Sequence, residues 1–167
     1  MILGLAGWSG SGKTTLIKNL IPELLKINIS TSTLKHAHEG FDIDKPGKDS
    51  YIHRESGAKE VLISSSNRFA LMSEYKDKEL SLDKLITKLS PVDLVIIEGW
   101  KKENIKKIEV FRREINKPLL AKNDKNIIAI ATTYRTIKIK NTVLLDLNNY
   151  KEIAMFIKKL IEQENIK

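Results

Sequence analysis

The sequence contains no cysteine. A disulfide framework, a thiolate zinc site and a cysteine nucleophile are therefore excluded, and a reducing cytoplasm fits. Aromatic residues make up only 6% of the chain and are not interleaved with basic ones. With no helix-turn-helix, RNA-binding or zinc pattern either, a nucleic-acid partner is not expected. No apolar run approaches the roughly 20 residues of a membrane helix, so no membrane span is expected. Residues 1–8 are apolar but lack a basic region and give way at once to glycine and serine, which does not read as a signal peptide. There is no low-complexity tract and no repeat at a fixed period. Glycine is sparse at eight residues, yet three of the eight stand at positions 7, 10 and 12.

What is present begins with charge. There are 29 Lys and Arg against 21 Asp and Glu, a formal net charge of +8 over 167 residues. Residues 1–100 are balanced at 13 basic and 13 acidic side chains, while 101–167 hold 16 basic and 8 acidic. A basic excess confined to one region points to an anionic ligand, an acidic partner, or lysines that merely solvate helices. The length suits a single domain over 1–167 with a substantial core.

Periodicity predicts an alternation of strands and helices. Ile2–Ala6 reads as a buried strand and Thr14–Lys26 as a helix, with Pro22 expected to kink or break it. Ile29–Leu34 reads as a second strand, residues 35–50 as a long polar loop, and 49–56 as a short helix stopped at Gly57. Val61–Ser64 and Phe69–Glu74 flank Ser65-Ser66-Asn67-Arg68 as a hairpin at a sheet edge. A helix starts near Ser81 and ends before Pro91. Val92–Ile97, Ile108–Phe111, Ile127–Ala131 and Val143–Leu147 are strands, and Asn149–Glu164 closes the chain as an amphipathic helix. Unbroken apolar strands between helices imply an α/β fold: a three-layer sandwich around a mostly parallel sheet, of the P-loop NTPase kind.

One motif carries chemistry. Gly7-Trp8-Ser9-Gly10-Ser11-Gly12-Lys13-Thr14 fits G-x-x-x-x-G-K-[ST], and Thr15 follows. A predicted strand precedes it and a predicted helix follows, the context such a P-loop requires. Glycines allow successive N–H groups to line one concavity, and the helix N-terminus adds partial positive charge. Gly7, Ser9, Gly10, Ser11, Gly12, Lys13, Thr14 and Thr15 are therefore the candidate nucleotide-binding residues. Lys13 reaches the outer phosphates and doubles as a catalytic candidate. The Thr14 hydroxyl is a candidate Mg²⁺ ligand.

Glu98 ends the strand Leu94–Ile97, and ligands of open α/β sheets lie outside the carboxyl ends of strands. It is the second catalytic candidate, holding Mg²⁺ or orienting an attacking water. Asp49 is the third Mg²⁺ candidate, with Asp44 behind it, since hard cations favour carboxylates. Lys35, His36, His38, Glu39, Asp42, Asp44, Lys48 and Asp49 also invite a transition-metal reading, but their spacing is loose and a solvated loop is favoured. Lys101, Lys102, Lys106, Lys107, Arg112 and Arg113 form a basic run just after Glu98, a candidate second anion or partner site.

Taken in order, Gly7–Thr15, Lys35-His36, Asp42-x-Asp44-x-Pro46-Gly47-Lys48-Asp49-Ser50-Tyr51, Arg54, Gly57-Ala58, Glu98-Gly99-Trp100 and Lys107-Ile108-Glu109-Val110 with Arg112 resemble the MobB family of molybdopterin-guanine dinucleotide biosynthesis adaptor proteins. The resemblance runs over about residues 1–135. It implies a cytoplasmic GTP-binding protein, usually a homodimer, with weak GTPase activity. Such a protein assists the guanylyltransferase that joins GMP from GTP to molybdopterin, with Mg²⁺ near Asp49 and Glu98. After the strand Ile127–Ala131 the family commonly carries an acidic residue suited to reading guanine. Here the chain runs Thr132-Thr133-Tyr134, with no Asn-Lys-x-Asp anywhere. The alternatives set against this reading are a small-molecule kinase on the same P-loop, with loop 36–50 as lid, and a nucleotide-ordered switch without catalysis.

Overall fold

The computed structural model describes residues 1–37, 40–75 and 78–165. These residues fall into two compact units: 1–36 joined with 89–167, and 37–88 inserted between them.

The first unit is built on β1 (Ile2–Ala6), β2 (Thr31–Lys35), β5 (Leu94–Glu98), β6 (Lys107–Phe111), β7 (Ile127–Thr132) and β8 (Val143–Asp146), with helices α1 (Lys13–Lys26) and α4 (Tyr150–Asn165). The strands lie in the order β2-β5-β1-β6-β7-β8. All five neighbouring pairs are parallel. The mostly parallel α/β sheet expected from the unbroken apolar runs is thus realised. The central strands β5, β1, β6 and β7 are buried along nearly their whole length.

On one face α1 and α4 pack over the sheet. Leu16, Leu20 and Leu24, spaced four apart on α1, are each at most 1% exposed and meet Leu3, Leu94, Ile96 and Ile108 in the main core. Ile153 and Ile157 do the same from α4. Each such side chain contributes about 1.5–3 kcal/mol. The opposite face is covered differently. Phe111, Ala121, Ile127 and Ile130 form a smaller cluster with Leu119, Leu120, Ile137 and Ile139, drawn from a 3₁₀ turn (Leu120–Lys122) and loops.

Pro22 does not break α1, which runs on through it. The residue lies on the exposed side, where solvent can take up the carbonyl that a proline leaves unpaired. The second strand starts two residues later than its β-branched pattern suggested. Ser30 is held outside it by Asp93, whose carboxylate accepts from both the Ser30 backbone N–H (2.8 Å) and hydroxyl (2.5 Å).

The second unit contains α2 (Asp49–Glu55), a hairpin of β3 (Glu60–Ser64) and β4 (Phe69–Ser73), and α3 (Leu82–Ile86). The hairpin pairs antiparallel as a separate two-stranded sheet rather than as an edge of the large one. The helix α3 is shorter than the leucine spacing suggested, because the Thr87 hydroxyl donates to the Lys84 carbonyl (2.8 Å) and the chain leaves the helix in a tight turn. Among the described residues, no helix is long and apolar enough to cross a membrane.

Candidate functional site

The first unit carries the P-loop where β1 hands over to α1. Gly7, Gly10 and Gly12 all have positive φ, at 143°, 78° and 98°. Close approach requires Gly7 as well and leaves little room at Gly12. A Cβ at Gly7 would lie 2.6 Å from the Val110 carbonyl oxygen, and one at Gly12 would lie 3.3 Å from Nε of Arg112. Gly12 is the N-cap of α1 and provides no side chain to cap it. The first intrahelical bond runs from the Leu16 N–H to the Gly12 carbonyl (2.8 Å). The N–H groups of the first turn, on Lys13, Thr14 and Thr15, thus open an uncapped helix N-terminus, where an anion is favoured. Thr14 and Thr15 are exposed, and Ser9 lies in the exposed turn before them.

The ammonium of Lys13 donates to the carbonyls of Gly7 (3.0 Å) and Trp8 (3.1 Å), folded back over its own loop. Its side chain is only 15% exposed and lies 4.0 Å from Oε1 of Glu98. The free side chain is therefore not the solvent-facing charge that a surface lysine would be. Burial is the main influence on it and holds it below the ordinary lysine value. Glu98 opposes that shift, and Lys101 and Lys35 add to it.

Glu98 stands at the carboxyl end of β5, in register with Leu5 on one side and Lys35 on the other. Behind it Gly99, at φ 111°, passes so close to the second strand that a Cβ would lie 2.6 Å from Cβ of His36. The structure thus brings Lys13, Glu98, Lys35 and the helix N-terminus together at one sheet edge. Asp49 begins α2 in the second unit, exposed to solvent.

Asp42, Asp44 and His36 have other partners. Arg54 of α2 donates to Asp44 (3.2 and 3.3 Å), Asp42 (3.3 Å) and Glu74 (3.0 Å). The side chain of Asp44 is 1% exposed within this arrangement. Its hydrogen bonds to Asp44 and then to Glu74 raise the guanidinium well above its ordinary range. The Asp-x-Asp part of the loop motif thus anchors an arginine, and the Asp44 reading as an Mg²⁺ ligand gives way to that pairing. The His36 ring packs on Trp100 at 5.0 Å between centroids. His38 and Glu39 lie outside the described residues. Among the described residues no three His, Asp or Glu side chains cluster as a metal site.

The basic run after Glu98 does not present one face. Lys107 is 3% exposed and donates to Asp124 (2.9 Å) and the Lys101 carbonyl (3.0 Å). Lys106 pairs with Glu164 across to α4. Arg112 donates from Nε to the Ser11 carbonyl (3.2 Å), bracing the P-loop from behind. Arg113 lies over the Tyr134 ring. Lys101, Lys102, Lys106 and Arg113 of the run are exposed, the last two with the partners just named, and the Lys101 ammonium sits 5.7 Å from the centre of the Trp8 ring, as does that of Lys117.

Two contributors to this geometry carry no local sequence signal. Trp8 donates from its indole N–H to the Pro118 carbonyl (2.8 Å), 110 residues along the chain. Glu109, fully buried, accepts from the N–H groups of Leu120 (2.8 Å) and Ala121 (2.9 Å) and so fixes the segment that receives Trp8. Burial pushes the Glu109 carboxyl up, against those two hydrogen bonds. The Ser11 hydroxyl is buried beneath the loop with no partner among the described residues.

Residues 2–133 match the family model described as molybdopterin guanine dinucleotide synthesis protein B. The chain is 44% identical over 158 residues to a molybdopterin-guanine dinucleotide biosynthesis adapter protein of Haemophilus influenzae, covering 93% of this chain and 86% of that protein. It is 39% identical over 168 residues to the protein of the same description from Escherichia coli K12, covering 98% and 95%. A crystal structure of molybdopterin-guanine biosynthesis protein B superposes with a TM-score of 0.74 at 27% identity, covering 96% of this chain and 99% of that one.

Proposed function

The chain belongs to the MobB family, and on that premise we propose that it is a GTP-binding accessory protein of molybdenum cofactor maturation. In this reading it assists the guanylyltransferase that forms molybdopterin-guanine dinucleotide and hydrolyses GTP slowly at most. The observation that carries the reading is the P-loop itself, an uncapped helix N-terminus with Lys13 folded over it and Glu98 beside it.

The residues fit a nucleoside triphosphate with Mg²⁺. The first-turn N–H groups and the loop 7–15 hold the phosphates, and Lys13 exchanges its two carbonyl acceptors for phosphate oxygens. The Thr14 hydroxyl and Glu98 would hold Mg²⁺, directly or through water, as suits a cation that keeps part of its hydration shell, and Asp49 of the second unit stays a candidate by its sequence alone. Bound Mg²⁺ neutralises charge on the outer phosphates. Glu98 orients the attacking water.

We place the protein in the cytoplasm, with molybdopterin and the guanylyltransferase as partners and a second copy of the chain completing a homodimer. The hairpin is the proposed contact: Leu62, Phe69 and Leu71 are exposed on it. A two-stranded hairpin is marginal by itself.

Calorimetric titration with GTP and ATP, with and without Mg²⁺, and co-sedimentation with the guanylyltransferase test the reading. GTP is expected to bind more tightly than ATP, more so with Mg²⁺, and the two proteins to associate. Equal binding of ATP with no association overturns it, and rapid acceptor-dependent turnover identifies a kinase instead.

A further inference from the structure

The phosphate cradle leaves the heterocycle of the ligand without a reader, because the end of β7 carries Thr132-Thr133 and no carboxylate. The carboxylate at this edge belongs to the next strand. Asp146 ends β8 and stands in register with Thr132. A cavity of about 230 Å³ opens there, lined by Thr132, Arg135, Leu144, Leu145, Asp146 and Glu152.

We propose that Asp146 recognises the ring edge formed by an amide N–H and an adjacent 2-amino group, the edge that guanine and pterin share. The proposal rests on the reading of residues 7–15 as a nucleotide cradle. The chemistry is direct: that edge presents two adjacent donors, and a carboxylate presents two acceptors at matching spacing. Adenine offers an acceptor at the equivalent ring nitrogen and is refused, since its lone pair would face the carboxylate.

Position supports the assignment. Ligands of parallel α/β sheets lie along the carboxyl ends of the strands. From β1, which feeds the P-loop, to β8 is three strand steps, about 14 Å at roughly 4.8 Å each. That is the scale separating the phosphates from the base in an extended nucleotide. Three contacts lie in the interval. Arg112 touches the Ser11 carbonyl, Arg113 lies over the Tyr134 ring at 4.7 Å, and the Tyr134 N–H donates to the Thr132 hydroxyl (3.1 Å). Thr132 then borders Asp146.

The present partners of Asp146 leave room for this role. One oxygen accepts the Asn148 N–H (3.0 Å), which orients the carboxylate and leaves a further lone pair. The other pairs with Arg135, whose side chain is 75% exposed. An exposed arginine is a weakly held counter-ion that a ligand can displace. Leu144, two residues before Asp146 and so on the same face of the sheet, offers apolar surface to a flat heterocycle.

The test titrates the full chain and its Asp146→Asn variant, with Mg²⁺, against GTP, ITP, XTP and neopterin. ITP lacks the 2-amino group, XTP replaces it with a carbonyl, and neopterin is a pterin without phosphate. If the base of GTP is read, the parent binds GTP about tenfold or more tightly than ITP. The variant loses that preference and gains affinity for XTP, whose N–H and carbonyl match a carboxamide. Structural damage does not produce that gain. If pterin is read, GTP and ITP bind alike and neopterin binding is lost in the variant. Equal GTP and ITP binding with no neopterin binding overturns the proposal, as does a variant indistinguishable from its parent. Failure of the cradle reading is separate: Lys13→Ala then leaves triphosphate binding unchanged, while the neopterin arm still reports on Asp146.

Discussion

Lys13 makes two hydrogen bonds to loop carbonyls while burial disfavours its charge, so its two effects on stability oppose one another. Lys13→Ala removes a desolvated cation and a phosphate donor together. The variant is expected to lose about 1.5–3 kcal/mol of GTP affinity, roughly 10- to 150-fold, with its melting temperature almost unchanged. Titration and a thermal melt on one preparation check both halves. The lowered lysine value sets a pH dependence as well. The unfolded chain holds the proton up to the ordinary 10.5, while the folded chain releases it earlier, so burial penalises folding until that release. Relative to Lys13→Met, the native chain is therefore expected to gain stability as pH rises through the window just below 10.5, read by urea denaturation at several alkaline pH values. Gly99 is constrained twice, by a positive φ and by the approach of His36. Gly99→Ala is expected to cost about 1–3 kcal/mol, seen as a lower denaturation midpoint. The sequence shows a glycine after a strand, but the clash that requires it comes from 63 residues away in the chain.

Among the elements, those with a local cause were legible in the sequence. Leu16, Leu20 and Leu24 announce α1, Ser81 stands at the N-cap position of α3, and the unbroken Leu94–Ile97 run marks a strand buried on both faces. What was not legible depends on distant partners. No pattern within residues 107–111 indicates that Lys107 points to Asp124 and Glu109 to the Leu120 turn, because alternation marks a face and not its occupant. The candidate site divides in the same way. The P-loop and Glu98 stand out by motif and position, while Pro118, which accepts from Trp8, joins the site only through packing between segments distant in the chain. Glu109 gives a test at this scale. Glu109→Gln keeps the shape but turns an NH₂ group toward a backbone donor, leaving one buried N–H unpaired. The expected cost is about 1–3 kcal/mol in urea unfolding. Because Leu120 and Ala121 follow the Pro118 acceptor of Trp8, a shift in tryptophan emission should accompany it.

At the scale of the molecule, the two units differ in how they bury apolar surface. The first unit holds the large core, whereas Phe41, Ile43, Ile52, Leu62, Ile63, Phe69, Leu71 and Tyr75 of the second are all exposed. Clustered apolar exposure of this kind marks an association surface. Leu62→Glu combined with Leu71→Glu is therefore expected to halve the mass of the proposed homodimer in light scattering; an unchanged mass rules out the hairpin as its contact. The insertion of 37–88 also bears on how the chain reaches its native state. β2 and β5 are bonded neighbours, yet the whole second unit separates them in sequence. Their pairing closes a long loop, whose entropic cost grows only slowly, by about 0.6 kcal/mol per doubling of length. The cost falls on rate more than on final stability, since non-local pairings are made late. β6, β7 and β8 follow one another in both sequence and sheet, so that side of the sheet can assemble early. The edge that carries Lys35 and Glu98 would then be among the last to form, and the protein would acquire its nucleotide site only when folding is nearly complete.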